Sequence, residues 1–476
     1  MAYILLSKEY TDPLGENGAA PGARWLLADR VSRTLSDARL ESLADPVERI
    51  ARLAVPTGRV DPFRWLSEQR MFPKVYWSGR EDRAGVAAVG FADLREAGVA
   101  GSLSKLLASL PDSGVSGARY YGGGRFDPLG QPDEEWAAFS AYRFVLPRFE
   151  LHAGETETML VCNLVLPRDM DDASKIVQEI EDLSLPEGAS RALLPEPIFR
   201  EDSPDFQGWK ENVERALEAF TEGRLGKVVL ARRTEFVFCR DLDPTLLLES
   251  LKAATPGCFH FYAEPEDGIA FLGASPERLF RREGRSVQSE AVAGTRPRGV
   301  SSAEDEGLRD DLLHSAKDRS EHTYVSKGIR EALEPHCEEL EIEDCVSEMM
   351  LARGRHLRSK VSGTLRDGVT DATLLDTMHP TPAVGGHPRS EALERIHALE
   401  PFDRGWYAGP VGWIGAEDSE FAVGIRSGLV RGRTLALFSG AGIVAGSVTD
   451  EEWAEIEQKI GDFTGMFGLE QGHAAS

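Results

Sequence analysis

"RLGKVVLAR", residues 224–232, reads as a half-buried strand in which a cation, Lys227, stands just ahead of a run of apolar residues. Side chains alternate along a strand, so Val228 and Leu230 share one face while Lys227 and Val229 share the other. If the first face packs a core, the lysine points elsewhere. Periodicity by itself makes it a strand-end lysine snorkelling to water. With 11 Lys against 43 Arg in the chain, a lysine in an apolar strand is less of an accident.

Working outward, strand patterns occupy 227–238, 257–264, 268–273, 278–282, 420–429 and 434–439, with a long polar helix over 304–334 and a closing helix over 450–466. Upstream, strand-like runs at 74–79, 85–92 and 139–151 follow a helix-like "DPVERIARLA" at 45–54. The acidic, Pro-rich stretch 186–205 reads as a linker, and it leads into a helix whose Trp209, Val213, Leu217 and Phe220 fall on one stripe. The pattern predicts an α+β fold of large mixed or antiparallel β-sheets with helices outside. Three segments follow: an N-terminal adapter (1–70), a β-rich part (71–195) and a C-terminal core (196–470).

Among the 476 residues, the net charge of −25 opposes nucleic acid and anionic membranes as partners. An anionic substrate would need locally placed cations. Five cysteines without a CxxC pair fit reduced thiols in a cytoplasm. The longest uncharged run, 434–449, is too short to span a membrane, and the first residues lack a signal-type apolar stretch.

Three clusters could carry chemistry besides Lys227. In "FLGASPERLF" (271–280), Glu277 follows Pro276 at a turn, where an ordinary surface carboxylate is the plain expectation. Asp318 and Glu321, and Glu452, Glu455 and Lys459, project from single helix faces. Carboxylates on two helices suit Mg²⁺, which takes oxygen ligands and keeps waters. Equally, Thr449 and Glu452 fit a capping box and Glu455 with Lys459 an exposed i,i+4 pair. The stripe Trp453, Ile456, Ile460 and Phe463 would hold this last helix to the core. Finally, "FSGAGIVAGS" (438–447) reads as a glycine-rich loop. Gly446 comes one residue late for a dinucleotide fingerprint, which argues against an oxidoreductase of that type.

Taken together, "KVVLAR" (227–232), "GASPERLF" (273–280), "EAVAGTRPRG" (290–299), "KDRSEH" (317–322), "HLRSKVSGTL" (356–365), "HPTPAVGG" (379–386), "FDRGWYAGPVGW" (402–413), "FAVGIRSGLV" (421–430) and "GAGIVAGS…EEWAEIEQK" (440–459) resemble the chorismate-utilising enzymes, and within them the isochorismate synthases. Weaker matches, "YWSGRED" and "RYYGGGRFDP", extend the resemblance back to about residue 75; residues 1–70 match nothing in it.

The resemblance implies that fold's large sheets packed face to face, a catalytic role for the core 196–470, and a reversible Mg²⁺-dependent isomerisation of chorismate, with Lys227 as base toward water and Glu277 as acid toward the departing hydroxyl. A lysine base must shed a proton it ordinarily keeps to about pH 10, and the acid needs a raised pKa. It implies Glu321 and Glu455 as Mg²⁺ ligands, with Asp318 and Glu452 behind them orienting waters. Arg426, Lys459 and Tyr407 would take the enolpyruvyl carboxylate and its surroundings, Thr295 and His356 the ring end, and Gly440 and Gly442 would offer backbone N–H groups. Salicylate-forming members usually carry a threonine where Ala383 stands, and aminating members generally lack the lysine; both favour isochorismate. His379, ahead of a proline turn, reads as structural. A long N-terminal half leans toward menaquinone formation over siderophore formation, in a monomer or weak dimer. Alternatives are a salicylate-forming or aminating relative and, more distantly, a non-catalytic acidic binding module.

Overall fold

Val228 (0% exposed) and Leu230 (1%) bury the face the alternation assigned to the core, and the strand runs Lys227–Phe238. It pairs antiparallel with Thr434–Val444, Lys227 standing opposite Val444. The computed structural model describes residues 22–41, 48–81, 85–98, 101–111, 117–154, 157–186, 193–352 and 354–468.

Two antiparallel sheets, of 12 and 10 strands, organise the chain. The larger runs from Arg49–Thr57 at one edge through Thr158–Leu166, Phe149–Ala153, Gly85–Val89 and Lys74–Ser78 to Phe259–Glu266, Ile269–Ser275, Ser427–Arg431, Thr434–Val444 and Lys227–Phe238. The smaller one centres on Ser286–Pro297, Arg278–Glu283, Asp418–Val423 and Pro410–Ile414. One apolar layer joins the sheets face to face, with Trp77, Phe259, Phe261 and Phe271 from the larger meeting Tyr121, Phe144, Phe280 and Phe421 from the smaller. A second layer covers the far face of the larger sheet, where Leu27, Val31 and Leu35 of the helix Ala23–Glu41, Leu247 and Leu251 of Pro244–Ala254, and Ile460 and Phe463 of Thr449–Thr464 are buried. Burial of this kind stabilises by roughly 25 cal/mol per Å² of apolar surface.

The chain crosses between the sheets twice at one place. Ile269–Ser275 belongs to the larger sheet and Arg278–Glu283 to the smaller, so Pro276 and Glu277 form the first crossing. Asp418–Val423 and Ser427–Arg431 reverse that passage through Gly424–Arg426. The crossings are stitched to each other: Val423 N–H donates to the Glu277 carbonyl (3.1 Å), and Ala274 N–H to that of Arg426 (3.0 Å).

Several local expectations change. Residues 49–54, read as helix, lie in the strand Arg49–Thr57, because pairing with Thr158–Leu166 overrides local propensity; residues 42–47 lie outside the described residues. This strand and its helix Ala23–Glu41 build onto the same sheet as the later segments, so the described part of 1–70 is continuous with it. Residues 197–203 of the supposed linker form a strand on Lys227–Phe238. The long helix over 304–334 is two, Ser302–His314 and Ala316–Leu333, because Ser315 leaves helical geometry and its side chain accepts from Asp318 N–H.

Candidate active site

Lys227 does not snorkel. It is fully buried, and its Nζ donates to Glu321 Oε1 at 3.0 Å. Glycine makes the room: "FSGAGIV" is strand and not loop, continuing Thr434–Val444 along Lys227–Phe238. A Cβ on Gly442 would lie 2.4 Å from Glu321 Oε1 and 3.0 Å from Lys227 Cε, and one on Gly440 would lie 3.0 Å from the Tyr407 hydroxyl. These glycines therefore admit side chains from facing elements. Gly440 offers its carbonyl, which accepts from Lys459 Nζ at 2.7 Å, where an N–H donor was expected.

Glu277 is no surface carboxylate; at the first crossing it is 5% exposed. Burial and the neighbouring Glu290 carboxylate push its pKa up to about 8, against the opposing pull of Lys227, a hydrogen bond with Thr381, and Lys459. A carboxyl so placed keeps its proton near neutrality.

Glu321, Glu452 and Glu455 gather around lysines. Glu452 is 1% exposed and pairs with Lys317, whose pKa burial lowers but the Glu452, Glu455 and Glu321 carboxylates raise further. The capping box does not form: Val448 occupies the cap position without a side-chain bond, and Glu452 turns inward instead. The Glu455–Lys459 pair does form, at 2.7 Å, but half-buried. Burial works to raise the Glu455 pKa, and Lys459 and Lys317 more than offset it. Asp318 pairs with Arg296 at 2.8 Å and packs where a Cβ on Gly294 would stand.

A cleft of about 1240 Å³ opens beside these groups, lined in part by Pro276, Thr295, Arg426, Lys459 and Asp462. Arg426 stands at the second crossing with φ 50°, a left-handed backbone that costs a non-glycine residue about 1–3 kcal/mol. Its guanidinium pairs with Asp462 at 2.8 Å. His356 is buried, and burial, aided by Arg426 and Lys459, pulls its pKa down to about 3, so the ring is neutral. Its Nδ1 lies 3.0 Å from the Gly294 carbonyl and 3.1 Å from Thr295 Oγ1. A carbonyl only accepts, so Nδ1–H donates and Nε2 is left as a buried acceptor without a partner among the described residues. Tyr407 stacks on Phe438 with centroids 5.2 Å apart. Ala383 is half-buried against the core between the sheets, two residues from Thr381. His379 is buried, with Nε2 3.1 Å from the Phe126 carbonyl.

Sequence reading passed over Thr381, Glu290, Lys317 and Arg80, although each stands inside a quoted motif. A motif names neighbours along the chain, whereas these four act across strands and helices.

Among the described residues, no three or more His, Cys, Asp or Glu side chains are gathered at metal-ligating spacing. The donor chemistry nevertheless fits a hard divalent cation. The converging groups are carboxylates without sulfur, and the missing Cβ of Gly442 admits the Glu321 carboxylate.

The model of the family described as chorismate binding enzyme matches residues 37–468. The chain is 35% identical over 434 residues to the salicylate biosynthesis isochorismate synthase of Pseudomonas aeruginosa, covering 86% of this chain and 88% of that one. It is 37% identical over 356 residues to the chloroplastic isochorismate synthase 2 of Arabidopsis thaliana, a match spanning 73% of this chain and 63% of that longer protein. The solved structure of the menaquinone-specific isochorismate synthase MenF from Escherichia coli aligns with a TM-score of 0.77 at 27% identity, over 92% of this chain and 100% of that one. A buried lysine and a buried, proton-retaining glutamate acting on each other, on a fold shared along nearly its whole length, lead to one conclusion: the chain belongs to the chorismate-binding enzymes, among the isochorismate synthases.

Proposed function

We propose that this chain interconverts chorismate and isochorismate, with Lys227 as base and Glu277 as acid. The observation that carries the reading is the pair itself: two buried, chargeable groups reach one site from separate elements, and one of them holds a proton near neutral pH. Water adds through its oxygen to C2 while Lys227 takes its proton. The two ring double bonds each move one position, the C4–O bond breaks, and the Glu277 proton leaves with the hydroxyl as water. Atoms and electrons balance without a redox partner. Glu321 fixes the position of the Lys227 Nζ, and Thr381 orients the Glu277 carboxyl.

Substrate charge is met locally. Arg426 and Lys459 suit the enolpyruvyl carboxylate, with Tyr407 beside it, and the neutral His356 presents an acceptor to a ring hydroxyl. Glu321 and Glu455 would hold Mg²⁺, with Glu452 and Asp318 behind them. When bound, the ion would offset the negative charge of the ring carboxylate. The product's destination in this reading is menaquinone, supported by the full-length likeness to a menaquinone-specific structure.

The test is incubation of the purified protein with chorismate, with and without Mg²⁺, followed by product analysis. Isochorismate should form only with the metal and approach one fixed ratio from either direction. Pyruvate accumulating in step with chorismate loss would make the chain a salicylate-forming relative despite Ala383. Aminated product dominating with added ammonia would overturn the role of Lys227.

A further inference from the structure

Glu277 sits in a crossing, not in a strand interior, yet its backbone is held on every side. Its own N–H donates to Ser275 Oγ at 3.2 Å, and its carbonyl accepts from Val423 N–H. The other halves of these same two peptide groups are held by a single ion pair. Arg80 Nη1 donates to the Pro276 carbonyl at 2.9 Å, and Glu290 Oε1 accepts from Arg278 N–H at 3.0 Å. Arg80 and Glu290 grip each other through two hydrogen bonds, of 2.5 and 3.0 Å. Glu290 is 4% exposed, and Arg80 lies over the Phe259 ring, 5.4 Å from its centroid. The two partners come from different sheets: Arg80 follows the strand Lys74–Ser78 of the larger, and Glu290 lies in Ser286–Pro297 of the smaller.

We propose that the Arg80–Glu290 pair is a positioning clamp for Glu277, tying the two sheets together at the crossing and fixing the backbone on either side of the acid. The inference rests on the reading of Glu277 as general acid. Neither clamp residue touches substrate in this arrangement; both act through the backbone on either side of Glu277. The clamp also sets the electrostatics of the acid. The charged groups facing Glu277 are Glu290 from the smaller sheet, Lys227 from the strand Lys227–Phe238 of the larger and Lys459 from the last helix, with Thr381 as hydrogen-bond partner. Glu290 is the anion in that set, and Arg80 tempers it.

This arrangement makes opposite predictions for its two halves. Glu290→Gln retains an acceptor for Arg278 N–H but removes the anion, so the high-pH limb of kcat/KM should move to lower pH. Arg80→Met leaves the Glu290 charge uncompensated, so the limb should move to higher pH. Both should lower kcat by about tenfold with KM within about twofold, since a misaimed acid harms the chemical step more than binding. Pairing these pH profiles with thermal unfolding and with Glu277→Gln separates the outcomes. A fully active Glu277→Gln would remove the acid assignment itself. An inactive Glu277→Gln alongside folded clamp variants whose limbs stay at the wild-type position would overturn the clamp alone. Should Arg80→Met fail to fold, the direction of the limb in Glu290→Gln still decides.

Discussion

Two glutamates of the site, one buried and one half-buried, have been driven in opposite directions. At the sheet crossing, Glu277 faces another carboxylate and is held up at about pH 8. On the last helix, Glu455 is half-buried, and Lys459 and Lys317 outweigh the desolvation and hold it below the ordinary carboxylate range. Desolvation works to raise both; the sign of the nearest charge decides between them. The first environment makes a proton donor. The second makes a lasting anion, suited to a cation.

The largest effect should come from abolishing the donor. Glu277→Gln should lower turnover by about 10²- to 10⁴-fold with folding and Mg²⁺ affinity preserved, and Lys227→Ala should do the same from the base side. Near-normal rates in either would break the contrast. In the wild type, the rate limited by this acid should fall as pH rises through about 8, because the raised pKa keeps the proton on below that value and releases it above. The pH profile of kcat/KM reads this directly.

Next comes the lasting anion. Glu455→Gln should weaken Mg²⁺ binding, measured by titration calorimetry, and abolish turnover with it. If Glu455 served only as the helical partner of Lys459, the change would cost about 0.2–0.5 kcal/mol of stability and leave metal binding intact.

Smaller still is Gly442→Ala. Its new Cβ must displace Glu321 Oε1, the end of a flexible side chain, so thermal stability should hold while Mg²⁺ affinity and kcat fall, kcat by about tenfold. An alanine variant with unaltered kinetics would show that the glycine is not making room for Glu321.

Smallest is Thr381→Val. The Thr381 hydrogen bond favours the ionised form of Glu277, so its loss should move the high-pH limb upward. Stability should drop by about 1 kcal/mol. A limb displaced downward would contradict the assigned direction.

The amphipathic elements were legible from periodicity. Val228 and Leu230 went to the core as alternation requires, and Trp209 and Val213, like Ile456 and Ile460, were buried along their helices. What misled was local pattern where tertiary pairing decided. Residues 49–54 look helical yet complete a sheet edge, and the glycines of 438–444 look like a loop yet extend a strand. The capping box at Thr449 failed for a related reason, since Lys317 drew Glu452 inward from another helix.

Sequence by itself determined which residues could carry the chemistry, because motif order and residue type survive without coordinates: Lys227, Glu277 and the helical carboxylates were all identifiable. It could not tell a snorkelling lysine from a buried one, or a turn carboxylate from a proton donor. Those properties belong to the surroundings. Only the tertiary structure brought Glu290 up to Glu277 and Glu321 onto Lys227, and at a few ångströms inside a poorly solvated interior such neighbours outweigh anything the chain specifies locally.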